Sequence, residues 1–146
     1  MLKKVNLNIK SYIDNLDDSA SSVDNREVSE ASHSGAMKLA AGELSLSYRE
    51  NTEGGSVFSD ILIHESGAVT VRRTGAIDST LHFDTAEEFN TVYSLPPYKF
   101  DMNVKTERIS NTLSIFGGSL EIEYLMTVGG AKKHVNMIID VSEEKK

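Results

Sequence analysis

The chain opens on Met1-Leu2-Lys3-Lys4-Val5-Asn6-Leu7-Asn8-Ile9-Lys10, where apolar residues take every second position from Val5 to Ile9. Such alternation sends successive side chains to opposite faces of a strand. It recurs along most of the sequence, with Val, Ile, Thr and Tyr at the alternating positions. The pattern predicts strands over about 4–13, 28–40, 43–50, 57–64, 68–74, 77–83, 99–109, 112–116, 119–128 and 132–141. Many short, closely spaced strands predict an all-β antiparallel barrel or sandwich. One exception is expected at Asp84 to Phe89, where Thr85 followed by Glu88 forms a capping-box pattern and predicts a short helical turn. Leu95-Pro96-Pro97-Tyr98 then breaks that turn. Residues Asp14 to Glu27, rich in Asp, Ser and Asn, read as a loop joining the first two strands.

Loop length fixes which residues share a face, because a slip of one position would send an apolar row into solvent. With Gly129-Gly130 as a two-residue loop, Tyr124 stands opposite Val135, Ile122 opposite Met137 and Leu120 opposite Ile139, while Glu121, Glu123, His134 and Asn136 share the other face. With Ala41-Gly42, Leu39 faces Leu44, Met37 faces Leu46 and Gly35 faces Tyr48, and His33 falls on the same inner side. The middle hairpin segregates its faces only with a three-residue loop, Glu65-Ser66-Gly67, with Gly67 at the position that needs positive φ. Ile63 then faces Val69, Ile61 faces Val71 and Ser59 faces Arg73, so the Arg73 guanidinium is expected to project inward. Asp60, His64, Arg72 and His82 are expected outside.

Composition narrows the setting. A chain of 146 residues can bury one core without staples. It contains no cysteine, which removes disulfides, thiolate zinc sites and a catalytic thiol, and it fits a reducing compartment. No apolar run is long enough for a signal peptide or a membrane span, so a cytoplasmic protein working away from membranes is expected. The formal charge of −7 opposes nucleic-acid binding, and Arg72-Arg73 and Lys132-Lys133 are too short and scattered to form a basic stripe.

No catalytic or cofactor signature is present. The glycines form neither a Rossmann nor a P-loop pattern, no G-x-S-x-G elbow occurs, and no cofactor is expected. No metal site is expected either, since the four histidines are widely separated. His64, His82 and His134 read as exposed polar positions. Asp14, Asp17, Asp18 and Asp24 lack EF-hand spacing and read as a solvated loop. Glu121 and Glu123, about 7 Å apart along a strand, look outward and read as solubilising. Arg73 carries the most information, because a buried guanidinium requires a carboxylate, carbonyls, water or an anionic ligand. An inward His33 must likewise be satisfied.

The sequence also resembles a known family, the YwiB-like bacterial domain of unknown function. The resemblance runs from about Asp24 onward and is carried by Ser34-Gly35, Leu46-Ser47-Tyr48, Arg73-Thr74-Gly75, Phe83, Tyr93, Val104-Lys105-Thr106, Leu120 to Tyr124 and Val135-Asn136-Met137. The family has glycines where this chain has Ala86 and Pro97-Tyr98. The resemblance implies a single calycin-like barrel of about 8–10 strands across residues 1–146 and a bacterial intracellular setting, and it brings no activity with it. The expected function is binding of a small apolar or anionic molecule inside the barrel, with Arg73, His33, Tyr48 and Tyr124 as ligand-binding residues. The alternative is an interaction or scaffold module, homodimeric, with a filled barrel and an outer patch of Phe58, Leu62 and Leu125. An enzyme ranks last, since no base and nucleophile can be paired.

Overall fold

Alternating side chains give a half-buried sheet, and one sheet accounts for the whole architecture. The computed structural model describes residues 2–16 and 26–144. Ten strands follow in order: β1 (Leu2–Asn15), β2 (Arg26–Ala40), β3 (Glu43–Thr52), β4 (Gly55–Ile63), β5 (Val69–Gly75), β6 (Ser79–Phe83), β7 (Phe89–Leu95), β8 (Tyr98–Asn111), β9 (Gly118–Val128) and β10 (Ala131–Glu143). The sheet order is β6-β5-β4-β3-β2-β1-β10-β9-β8-β7, antiparallel throughout. It curls until its two free edges, β6 and β7, face each other in a nearly closed barrel. Among the described residues a single bridge joins those edges, with the amides of Asp78 and Ser94 each donating to the other's carbonyl at 2.9 Å.

The three expected hairpin registers are all present. Tyr124 pairs with Val135, Gly35 with Tyr48 and Ser59 with Arg73, and Gly67 has φ of +97°.

Three expectations are corrected. The capping-box segment forms no helix: the Asp84 carboxylate, rather than Thr85, accepts from the Ala86 amide at 2.9 Å, and a tight turn leads straight into β7. Phe89, Thr91 and Tyr93 alternate as a strand should, and Pro96-Pro97 makes a two-residue hairpin loop, with Leu95 paired to Tyr98. Residues 112–116 form a turn closed by a Ser114–Gly117 bridge, because Gly117 and Gly118 both adopt positive φ there. Asp14 belongs to β1 rather than to a loop, whereas Asp17, Asp18 and Asp24 lie outside the described residues.

The interior is built in rungs. Call upper the barrel end that carries the β3–β4, β5–β6, β7–β8 and β9–β10 connections. Across β3 to β6 the lowest rung is Leu44, Ile63, Val69 and Phe83, and the next, which also reaches β2, is Met37, Leu46, Ile61, Val71 and Leu81. All of these but Leu81 are buried, and Val5, Leu7, Val104, Leu120, Ile122 and Ile139 opposite them are fully so. Above lies a different rung: Gly35, Tyr48, Ser59, Arg73 and Ser79. Gly35 is required where it stands. A Cβ there would run into the Ser47 carbonyl and approach Leu7 Cδ1 to 2.7 Å.

Candidate functional site

The upper rung sets the site. Arg73 projects inward from β5 as its register demands, and its Nη2 donates to Glu50 Oε1 at 3.2 Å. Glu50 sits on β3, two residues beyond Tyr48 and therefore on the same inner face. One other nitrogen of the guanidinium is not satisfied. Arg73 Nε is buried without a hydrogen-bond partner, and so is Ser59 Oγ directly across the β4–β5 pair. Native interiors leave few such atoms, because an unpaired buried donor costs about 1–3 kcal/mol.

Arg73 and Ser79 form the polar side of a 280 Å³ cavity whose other walls are Leu81, Met102, Met126 and Val128 with the rings of Tyr93 and Tyr124. It lies just behind the place where β6 and β7 separate. Tyr124 packs tilted on Phe83 with centroids 4.7 Å apart, and burial pushes its phenol up to about 12, so it stays neutral and protonated at physiological pH. Of the four residues expected to bind a ligand, Arg73 and Tyr124 line this cavity. Tyr48 stands on β3, two strands from Arg73, its phenol pushed up by burial, with the neighbouring Ser59 hydroxyl and Arg73 acting the other way. His33 is stacked flat on Tyr48 at 4.5 Å and borders a recess of 400 Å³ together with Asn6, Asn8, Ser32 and Asp140, apart from the cavity. A recess of 460 Å³ at the lower end is walled by Leu39, Leu44, Ile63 and Leu113. Among the described residues, neither of these two recesses is lined by an unpartnered buried polar side chain.

Two polar groupings lie on the outer surface, and both were read from sequence as plain solvated positions. The first runs across β3 to β6. His64 Nδ1 donates to Glu43 Oε2 at 2.6 Å, Thr70 Oγ1 donates to His64 Nε2 at 2.8 Å, and His82 Nδ1 donates to Thr70 Oγ1 at 2.9 Å. Carboxylate, imidazole and hydroxyl are thus in the order of an acyl-transfer triad. Chemistry at Thr70 is unsupported, however, because β5 is paired on both sides and its amides serve the ladders instead of an oxyanion. The second grouping spans β2, β1, β10, β9 and β8. His134 Nε2 meets Glu123 at 2.8 Å and Glu107 at 3.4 Å, while Nδ1 is 3.7 Å from Asp14. The bulge after Thr106 turns both Glu107 and Arg108 outward. Arg108 grips Glu121 at 2.7 Å, and Arg26 grips Asp14 through two bonds of 2.9 and 3.1 Å. The Arg26 guanidinium holds Asp14 below the usual carboxylate range, and the His134 and Arg108 contacts do the same for Glu123. With two guanidiniums already among the carboxylates, this is an ion-pair network and offers no vacant charge for a cation.

The patch expected from Phe58, Leu62 and Leu125 does not form. Phe58 and Leu62 lie on β4 and Leu125 on β9, five positions away in the sheet.

Against known proteins, residues 15–139 match a domain of unknown function, DUF1934. The chain belongs to the DUF1934 family. The crystal structure of the YwiB protein from Bacillus subtilis superposes on it with a TM-score of 0.84 at 25% identity, covering 99% of this chain and 94% of that one. No curated protein matches. The barrel of this DUF1934 chain is therefore shared with YwiB, as the residues around Gly35, Arg73 and Tyr124 led one to expect. Sequence reasoning missed Glu50 as the partner of Arg73. The signal was there in the β3–β4 turn, where Glu53-Gly54 as a two-residue loop sets Thr52 opposite Gly55 and Tyr48 opposite Ser59.

Proposed function

We propose that this DUF1934 chain is a binding module that holds one small, largely apolar molecule in the upper cavity, with an oxygen acceptor of that molecule turned toward Arg73 and Ser79. One observation carries the reading: Arg73, whose buried Nε has no hydrogen-bond partner, stands in the wall of a cavity that is otherwise mostly apolar. A filled barrel end would leave that donor unpaired at a cost of about 1–3 kcal/mol, and an acceptor on a ligand removes the cost. Small barrels commonly use their interior this way, packed at one end and hollow enough at the other for a single small molecule. A bacterial cytoplasmic setting fits a chain without cysteine whose described residues include no helix long and apolar enough to cross a membrane.

Native mass spectrometry of protein purified from its own host tests this. The expected spectrum carries one small-molecule adduct on the wild type and none on Arg73→Met, with both proteins folded. Wild type that flies bare, and that gains no thermal stability from a panel of small amides, esters and carboxylates, refutes the reading.

A further inference from the structure

Among the described residues, Arg73 is the one cation in the cavity wall, and its charge is already met. Resting on the binding reading above, we propose that the cavity selects an uncharged ligand, with an amide, ester or ketone carbonyl facing Arg73 and Ser79 on its polar side, and rejects the corresponding carboxylate.

The pairing of Arg73 decides the ligand's charge. Glu50 Oε1 lies 3.2 Å from Nη2, and both side chains are about two-thirds buried, with exposures of 29% for Arg73 and 33% for Glu50. The strand register keeps the pair together, since Glu50 faces Val57 and Tyr48 faces Ser59, which in turn faces Arg73. Guanidinium and carboxylate sum to zero. A ligand carboxylate would add a second negative charge beside one cation, against walls of Leu81, Met102 and Met126 that solvate neither. It could settle next to Glu50 and be repelled, or displace Glu50 and exchange one carboxylate for another, with its own desolvation uncompensated. A carbonyl oxygen loses less on leaving water and accepts from the Arg73 side chain without adding charge. Ser79, beside Arg73 on the polar side of the cavity, supplies a second hydrogen-bonding group of neutral character. Tyr124, whose phenol stays protonated, adds no charge of either sign.

The test is isothermal titration of the full chain with matched sets of primary amide, methyl ester and carboxylate built on two apolar bodies, phenylacetyl and octanoyl, on wild type and Glu50→Gln. On wild type the amide and ester are expected to bind at least about tenfold tighter than the carboxylate. In Glu50→Gln, which frees the guanidinium charge, the carboxylate is expected to gain about tenfold or more while the amide changes by less than about threefold. A carboxylate that binds wild type as tightly as its amide overturns the charge selection and leaves the binding module standing. Failure of every compound on both proteins overturns the binding module and the selection with it. Should Glu50→Gln fold poorly, the order of the three head groups on wild type decides by itself.

Discussion

Two successive rungs of the same strands behave in opposite ways. Met37, Leu46, Ile61, Val71 and Leu81 close over one another in the lower rung, and one step up the same five strands present Gly35, Tyr48, Ser59, Arg73 and Ser79. Backbone, pairing and curvature are shared, so the difference belongs to the side chains alone. Apolar side chains satisfy themselves by filling space. Polar ones need partners in particular directions, and here two of them have none. The barrel is thus held together at its lower end and left chemically unfinished at its upper end, a division that binding proteins use to keep a site from costing the fold its stability.

The sharpest way to break this comparison is to attack the lower end. Phe83 is fully buried at the foot of β6, and Phe83→Ala is expected to cost about 3–5 kcal/mol in urea-induced unfolding. A cost below about 1 kcal/mol would mean the lower rungs are not the core. Tyr124 stands at the boundary. Its folded pKa, raised from 10.0 to about 12, means that its contribution is complete below pH 10 and is lost as pH rises through 12. Stability should therefore fall by about 2–3 kcal/mol over that window, and Tyr124→Phe should flatten the fall.

In the upper rung the effects should be small. Arg73→Met exchanges a half-buried ion for an apolar chain of similar reach, and Glu50, a third exposed, can turn to water. A change of at most about 1 kcal/mol is expected, with ligand binding lost. A loss above about 3 kcal/mol would show that Arg73 is structural and would erase the contrast between the rungs. Ser59→Ala removes an unpartnered hydroxyl, so unfolding should be unchanged or shifted upward by a few tenths of a kcal/mol. The smallest effect is expected outside the barrel. Asp14 and Glu123 have folded pKa values below their ordinary ones, so their contribution is present above those ordinary values and disappears as pH falls through the lowered ones. Both lie on the outer surface where solvent screens them in part, and Asp14→Asn should only slightly flatten the acid limb of a thermal melt.

How much of this was legible depended on where a turn residue announced itself. Gly67, Gly42 and Gly129-Gly130 each mark a loop length, and each length carries its register and, for Gly67, the inward direction of Arg73. β7 was hidden because Thr85 and Glu88 imitate a helix start while Asp84, one residue earlier, makes the turn. The outer groupings were hidden for a different reason. The residues themselves were legible, but Glu43, His64, Thr70 and His82 meet only when four strands align, and Glu107 joins His134 only because of a bulge that no residue pattern advertises. Faces can be read one hairpin at a time, whereas contacts that cross several hairpins need every intervening register.

The lone bridge between Asp78 and Ser94 has a kinetic meaning as well. β6 and β7 each have one fully laddered neighbour, so opening there breaks a single reciprocal pair of hydrogen bonds while the β1–β10 ladder, eleven residue pairs long, stays intact. Amide hydrogens flanking that junction should exchange with solvent through a local event far below the global unfolding free energy, and those of β1 and β10 only near it. The brevity of β6, five residues, also protects the molecule while the junction is open, because so short an edge gives a foreign strand little to pair with.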